Sequence, residues 1–424
     1  MKARRDGQIL SQGERKWLVR WYIGVGADGK KRYKSEVVHG AKKAAQARLN
    51  AVLHSRGVGE YVEPSKVTVN AYLDRWLRTG ATGSPRTREG YRWYLQKYVR
   101  PVIGDMRLDK LDVPDVQEIV SRMVADEYAS RTVHIAVAVL SRACRQAIKW
   151  KLLPRNPVAG VALPKKTQSK TRALSAEEVG KLRVAIIELR DESLTKAAAL
   201  VEDSPYLAAR AEGEAARWSR AAVLLDVLLW TGLRPGEALG LRWSDVDLDA
   251  GRLTVRRALT WVPDAEALTR NGNPKPRAKF ADPKTEKSRR TLPLGSTLVR
   301  ALAAHKAAQA ERAMKLGDSY ERTPEGKLEL VFANEIGRPL DERNVAQRDL
   351  VPALKRAKIE GRVRLYDLRH TSASLLLAAG ESVKVVSERL GHASAAMTLN
   401  VYAHVLPGAQ EEATARIENV ILGE

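Results

Sequence analysis

Two turn-rich stretches, residues 57–65 and 152–174, interrupt the helix and strand patterns of this 424-residue chain. The first contains two glycines and a proline, and the second contains three prolines and a run of basic residues. Because proline and glycine break regular structure, both stretches are predicted to be linkers. They divide the chain into three predicted domains at residues 1–62, 66–163 and 175–424, which agrees with its length.

The fold predicted for these domains is mainly α-helical with small β elements. Residues 1–62 alternate apolar and polar positions around a hairpin turn and then show a helical period, which predicts a three-stranded sheet plus a helix. Residues 66–163 show helical patterns and predict an all-α domain. Residues 175–424 begin and end with helical patterns around a β-rich middle, which predicts a mixed α+β domain. The stretch 184–218 is predicted to be helical with an insertion.

The chain is strongly basic. It has 73 Lys and Arg residues against 50 Asp and Glu residues, a formal net charge of +23. Such an excess is typical of proteins that bind a polyanion, and nucleic acid is the leading candidate. A generally basic composition or association with ribosomes is the alternative. Aromatic residues interleave with basic ones in residues 1–62, which favours DNA contact over an ordinary packing module.

Composition also disfavours several classes of protein. The single cysteine, Cys144, allows neither an internal disulfide nor a cysteine-based metal site. The N-terminal sequence lacks the apolar region of a signal peptide, and the most apolar run, AAVLLDVLLW, is too short to span a membrane. We therefore expect a cytoplasmic protein with no membrane partner.

Two short segments of the third domain carry cationic side chains in suggestive places. In TGLRPGEALGLRWSDVDL, Arg234 lies in the turn before a helix that begins at Pro235. A guanidinium beside a helix N-terminus suits a phosphate oxygen, although it could simply satisfy the helix end. In DPKTEKSRRTLPL, Lys284 lies near the tip of a hairpin-like segment, where it is either a solvated charge or a proton donor.

Two further segments follow. In RLYDLRHTSASLLLAAG, Tyr366 and Arg369 share one helix face, and His370 lies about 100° away. Two guanidiniums together could bind both non-bridging oxygens of one phosphodiester. In LGHASAAMTLNVYAHV, His392 follows a helix end and Tyr402 lies inside the next helix, where a tyrosine is more often a core residue.

Taken in this order, the four segments resemble the tyrosine recombinase (phage integrase) family. The first and second domains resemble, more weakly, its arm-type DNA-binding domain and its helical core-site-binding domain. The resemblance implies catalytic roles by position, with Tyr402 as the nucleophile. Tyr366 stands where the family usually has histidine, and His370 is expected to pack or hydrogen-bond structurally. The remaining implied site residues are the arginines Arg234 and Arg369, the hairpin lysine Lys284, His392, and Glu237 as a supporting acid.

The function implied is that of a site-specific DNA recombinase that integrates or excises a phage or mobile element through a 3′-phosphotyrosyl intermediate. No cofactor and no metal are implied, and no metal-binding motif such as HExxH occurs. The implied partners are core-type and arm-type attachment sites on double-stranded DNA, in a homotetramer, with a DNA-bending host factor and a directionality factor as further candidates. The expected location is on DNA in the cytoplasm of a bacterial host.

Some alternatives stay open at this point. A type IB topoisomerase uses similar chemistry, and a non-catalytic DNA-binding regulator would need only the binding surfaces. The segment after Tyr402 is amphipathic beyond Pro407-Gly408. The resemblance implies that this tail docks on a neighbouring subunit, and packing on its own domain is the alternative.

Overall fold

The computed structural model divides into two compact units, Met1–Gln168 and Ser169–Glu424. It is mostly helical with small antiparallel sheets, so the predicted fold class is confirmed. The three-domain division of the sequence stays a prediction. The residues that the structure describes are 7–25, 28–57, 65–166, 172–268, 274–282, 288–322, 327–392, 394–402, 414, 417–419 and 421–422.

The first unit begins with a small sheet packed against one helix. Strands β1 (Gly7–Gly13), β2 (Lys16–Val25) and β3 (Lys31–His39) pair antiparallel in that order, and helix α1 (Lys42–Gly57) follows. Alternate residues of a strand face the same side, so one side of β2 meets the apolar side of α1. The buried residues of this cluster are Val19, Trp21, Ala45, Leu49 and Val52.

A separate helical cluster makes up the rest of the first unit. Side chains cap several of its helices: the Thr68 hydroxyl accepts from the amide of Ala71, and Asp112 forms a capping box with Asp115. The core is apolar, and the buried Tyr72 hydroxyl donates to the carbonyl of Ala143 at 2.6 Å. Its helices are α2 (Val69–Thr79), α3 (Pro85–Tyr94), α4 (Arg100–Ile103, after a π-helical turn), α5 (Val113–Ala125) and α6 (Ser130–Lys149).

The predicted linker at 152–174 is not a free segment where the structure describes it. The side chain of Gln117 on α5 pairs with the backbone of Ala162, and His134 on α6 lies 2.9 Å from the carbonyl oxygen of Pro164. Turn residues therefore break the helical pattern here without separating the chain from the helices. Most of the predicted linker at 57–65 lies outside the described residues.

The second unit opens with two long helices, α7 (Ala176–Leu200) and α8 (Pro205–Thr231), which pack along each other. The predicted helical character of 184–218 is confirmed, and the break falls at residues 201–204. The C-terminal part of α8 is apolar on nearly all sides because it lies in the centre of the core. Among the described residues, no helix is long and apolar enough to cross a membrane.

The β-rich middle forms two small sheets among the described residues. Strands β4 (Val246–Asp247), β5 (Arg252–Val255) and β8 (Arg290–Pro293) pair antiparallel in that order. Strands β6 (Ala258–Leu268) and β7 (Pro274–Ala281) form a separate hairpin between β5 and β8.

Helices complete the second unit. Several of them pack on the core that α8 and the β4–β5–β8 sheet build, and Arg234 and His392 lie at helix ends. These helices are α9 (Pro235–Leu239), α10 (Ser296–Leu316), α11 (Glu342–Val345), α12 (Val351–Arg356), α13 (Leu365–Ala378), α14 (Val383–Leu390) and α15 (Ala395–Tyr402).

Candidate active site

The turn between α8 and α9 positions Arg234 and Glu237. Helix α8 ends because Gly232 adopts a left-handed conformation, with φ of 65°. Arg234 is the residue just before α9, as predicted from Pro235. The Glu237 carboxylate accepts a hydrogen bond from the Arg234 amide at 3.1 Å and another from Arg234 Nη1 at 2.6 Å. The carboxylate thus both caps α9 and fixes the guanidinium, whose side chain stays about one third exposed (34%).

A second arginine, Arg290 on β8, holds the other side of Glu237. Arg290 Nη2 lies 3.0 Å from Glu237 Oε2, and the glutamate side chain is only 4% exposed. Burial alone would raise the pKa of this carboxyl, but the charges of Arg290 and Arg234 outweigh it and lower the pKa. Glu237 is therefore an ionised carboxylate held between two cations.

Sequence reasoning missed Arg290. The segment SRRTLPL offered two adjacent arginines, and a charged residue in a short strand is usually solvated. The alternation of side chains along β8 could have found it, because Arg290 shares a face with the buried Leu292, whereas Arg289 points to solvent.

Arg369 lies on α13 and is 1% exposed. Its guanidinium donates to the carbonyl of Gly232 at 2.7 Å and to the carbonyl of Leu390 at 2.6 Å. Burial and the nearby charge of Arg234 lower its pKa to about 10, so it is still protonated at neutral pH. One buried cation thus joins the end of α8, next to Arg234, to the end of α14, next to His392.

His392 follows the left-handed residue Gly391, which ends α14. Its Nδ1 atom lies 2.8 Å from Oγ1 of Thr398, a fully buried residue on α15. Burial, followed by the charges of Arg369 and Arg234, lowers the pKa of His392 to about 4. The imidazole is neutral at pH 7. When Nδ1 accepts the hydroxyl hydrogen of Thr398, Nε2 carries the ring hydrogen and can donate it.

Tyr366 and His370 pack against each other one turn apart on α13. Their ring centroids lie 5.1 Å apart at 65°, and Tyr366 is 39% exposed. This is the structural packing expected of His370. Burial lowers the pKa of His370, and a positive charge on His370 would lower the pKa of His392 further.

The two remaining candidates are described incompletely or not at all. Lys284 falls in residues 283–287, outside the described residues. Tyr402 is the last residue of α15, and the structure describes the course of the helix there but not the tyrosine side chain. Within the described residues, no group of three or more His, Cys, Asp or Glu side chains could hold a metal ion.

Of the residues predicted from the sequence, the structure brings together Arg234, Glu237, Tyr366, Arg369 and His392.

Comparison with known proteins identifies the family. The pattern of the Phage integrase family matches residues 203–408, and that of the Phage integrase central domain matches residues 69–162. Together the two matches cover most of the chain. The chain belongs to the phage integrase family. This confirms the resemblance seen in the sequence, and with it the predicted class of enzyme: a tyrosine recombinase, which is a site-specific DNA recombinase.

Curated relatives of this recombinase extend over nearly the whole chain. A protein named "Tyrosine recombinase XerC-like" from Caldanaerobacter subterraneus is 26% identical over 97% of this chain and 98% of its own length. An integrase from Streptomyces ambofaciens is 27% identical over 95% of this chain and 92% of its own length.

Solved structures show the same fold at low identity. The Tn1549 transposon integrase in complex with transposon right end DNA superposes with a TM-score of 0.60 and 18% identity, covering 83% of this recombinase and 100% of that chain. A lambda integrase dimer bound to a core site superposes with a TM-score of 0.52 and 17% identity, covering 95% and 96%.

Proposed function

We propose that this recombinase cuts and rejoins DNA with Tyr402 as the nucleophile. The phenolic oxygen attacks phosphorus and loses its proton to solvent, the bond from phosphorus to the 5′-oxygen breaks, and that oxygen takes up a proton from a general acid and leaves as a 5′-hydroxyl. The product is a 3′-phosphotyrosyl bond, and attack by another 5′-hydroxyl reverses the step. Because one phosphodiester is exchanged for another, rejoining needs no ATP.

The observation that carries this proposal is the buried position of Arg369. Its hydrogen bonds to the carbonyls of Gly232 and Leu390 place the Arg234 turn beside the His392 turn, although the two segments are far apart in sequence. Helix α15, which ends at Tyr402, follows directly and contacts His392 through Thr398. Two guanidiniums and an imidazole donor therefore converge near the element that carries the nucleophile.

These donors have a clear electrostatic task. Negative charge builds up on the non-bridging oxygens of the phosphoryl group in the transition state, and Arg234, Arg369 and His392 would stabilise it. Loss of one such donor typically costs about 3–4 kcal/mol of transition-state stabilisation. Glu237 keeps Arg234 in place, and Tyr366 lies at the exposed rim, where it can contact the phosphate or shape the pocket.

Proton transfer needs separate groups. A free tyrosine has a pKa of about 10, so nearby cations are needed to favour the phenolate. The leaving 5′-alkoxide is a stronger base and needs a proton donor. We assign that role to Lys284, and general acid catalysis of this kind typically contributes about 10²- to 10⁴-fold.

The proposed partners are DNA sites of two kinds. Residues 66–163 would bind core-type sites, residues 175–424 would cut and rejoin them, and residues 1–62 would bind arm-type sites, in a homotetramer that integrates or excises a phage or mobile element in a bacterial host. The basic charge of the chain supports the DNA assignment. A solved structure of lambda integrase, which shares the fold, is a tetramer bound to a Holliday junction. A DNA-bending host factor and a directionality factor would assist.

The test is a covalent adduct on cognate core-type DNA with a nick that traps the cleaved state. The wild-type protein should form a protein–DNA adduct, and Tyr402→Phe should form none while binding the same DNA. If both proteins form the same adduct, Tyr402 is not the nucleophile. Relaxation of any supercoiled plasmid without strand exchange between paired sites would instead favour a topoisomerase, and the absence of adducts would favour a regulator.

A further inference from the structure

Arg290 connects three segments of the candidate site. From strand β8 its side chain, which is 8% exposed, donates to the Glu237 carboxylate on α9 at 3.0 Å. The same guanidinium donates from Nε to the carbonyl of Arg389 at the end of α14, at 2.7 Å, and from Nη1 to the carbonyl of Ser288 at 3.1 Å. Because Nε, Nη1 and Nη2 of Arg290 each already donate to a protein acceptor, this side chain is a poor candidate for contact with DNA, and its effect must pass through its neighbours.

The first of those neighbours is Glu237. Its two oxygens are shared between cations, with Oε1 bonded to Arg234 Nη1 and Oε2 to Arg290 Nη2. Without Arg290, a carboxylate that is almost fully buried would keep, among the described residues, Arg234 as its only bonded cation. Burial would then favour its protonated form, and the direction of the Arg234 guanidinium would no longer be fixed.

The second neighbour is the C-terminal end of α14. The last carbonyl groups of a helix have no partner inside the helix, and cations are favourable there. The carbonyl of Arg389 accepts from Arg290, and the next carbonyl, of Leu390, accepts from Arg369. These bonds fix the two residues immediately before Gly391 and therefore fix the position of His392.

We propose that Arg290 is a positioning residue for DNA strand cleavage. It orients the Arg234 guanidinium through Glu237, and it fixes the C-terminal end of α14, which positions His392. This role rests on the proposed function. A displacement of catalytic groups by about 1 Å can reduce a rate about 100-fold. Arg290→Met should therefore slow cleavage about 10- to 100-fold while leaving DNA affinity within about threefold, because Arg290 does not reach the DNA.

The experiment measures the single-turnover rate of adduct formation by the full chain at saturating nicked DNA, with the dissociation constant measured separately. Arg290→Lys keeps the positive charge but not the forked guanidinium with its several N–H donors. It should therefore cleave faster than Arg290→Met and more slowly than the wild-type protein. The matched control is Arg289→Met, which removes the adjacent, exposed arginine that pairs with Asp282 at 3.2 Å. Arg289→Met should cleave at the wild-type rate.

The pH profile separates positioning from simple loss of structure. Among the described residues, the charges of Arg290 and Arg234 lower the pKa of the Glu237 carboxyl, and Arg369 also interacts with that carboxylate. Removing Arg290 raises that pKa, so the rate of Arg290→Met should begin to fall at a higher pH than the wild-type rate as pH is lowered. An unshifted profile would mean that Arg290 is only structural.

A double-mutant cycle keeps the proposal open to refutation even when Arg290→Met does not fold. Arg290→Lys and Glu237→Gln should be non-additive, because Arg290 acts largely through the carboxylate that Glu237→Gln removes. Additive losses, or a wild-type rate in Arg290→Met, would overturn the positioning role alone. Absence of an adduct from the wild-type protein would instead overturn the proposed function, and the positioning role with it.

Discussion

At the scale of single residues, long-range backbone contacts decide what the charged side chains do. The sequence predicted Arg369 as one half of a phosphate clamp, and nothing in its helix indicated that the side chain would be 1% exposed. Its bonding partners are the carbonyls of Gly232 and Leu390, which lie 137 and 21 residues away in the chain. Local pattern cannot supply partners at such distances, so burial of this kind becomes visible only in the fold.

The position of Glu237 was easier to predict than its environment. Its spacing from Arg234 suits a residue that caps the start of α9, and in the structure it makes that contact. The second cation on the carboxylate comes from β8, after the β6–β7 hairpin, and sequence reasoning did not connect it. Residue identity thus indicated which groups matter, while their pairing required the tertiary structure.

The protonation of His392 gives a prediction at this scale. In the free protein its pKa should be about 4, because burial and the charges of Arg369 and Arg234 disfavour the imidazolium. A bound phosphodiester is negative and favours the charged form, so the pKa should rise when DNA binds. NMR titration of histidine-labelled Tyr402→Phe protein, with and without DNA, would measure both values, and His392→Gln would assign the signal. A pKa near 6.5 in the free protein would contradict the buried site.

At the scale of elements, the turn after α8 shows how local sequence can determine a site. Thr231 and Gly232 end the helix, Pro235 starts the next one, and Arg234 is left between them, as the pattern predicted. The pairing of strands was harder to predict from the sequence, because β5 pairs with β8 and the whole β6–β7 hairpin lies between them in the chain. Pairing between strands that are not adjacent in sequence leaves little trace in local periodicity.

Gly232→Ala gives the prediction for this turn. The left-handed φ of 65° disfavours any side chain, and a Cβ atom would lie 2.6 Å from Leu390 Cδ2. We expect a loss of about 1–2 kcal/mol in the free energy of unfolding, together with slower cleavage because Gly232 also accepts from Arg369. The measurement is the midpoint of thermal or urea unfolding, followed by adduct formation.

The matched control for this substitution is Gly213→Ala. Gly213 lies inside α8 with nothing within 4 Å of a Cβ position, so alanine should leave stability unchanged or raise it by up to about 1 kcal/mol. An equal loss of stability in the two variants would show that the left-handed turn is not the cause.

At the scale of the whole molecule, the basic composition predicted a nucleic-acid partner. The order of helical and strand patterns predicted a mainly helical fold with small β elements. The four segments of the predicted third domain, far apart in sequence, were sufficient to recognise the family. The small sheet with α1 and the helical part that follows have separate hydrophobic clusters, which supports independent roles for them. Their arrangement on DNA depends on surfaces that meet only in a complex, and no pattern in a single chain encodes it locally.

Removal of residues 1–62 is the prediction at this scale. Because their apolar cluster is separate, the remaining chain should fold and should cleave core-type DNA at close to the wild-type rate. Recombination that depends on distal arm-type sites should be lost. Affinity for long DNA should also depend less steeply on salt, since each phosphate contact removed lowers the slope by about 0.9. Strand exchange assays on paired sites and binding titrations against salt would measure both effects, and unchanged recombination would contradict an arm-binding role.

The hydrogen bond between Thr398 and His392 has a consequence for how the centre is switched on. Thr398 and Tyr402 lie one turn apart on α15, whereas His392 lies in the turn that precedes this helix. If α15 moved away from the turn, His392 would lose its hydrogen bond to Thr398, and Tyr402 would move with the same helix. Under the proposed function, a movement of α15 would therefore displace the nucleophile and remove the partner of the imidazole donor in one step.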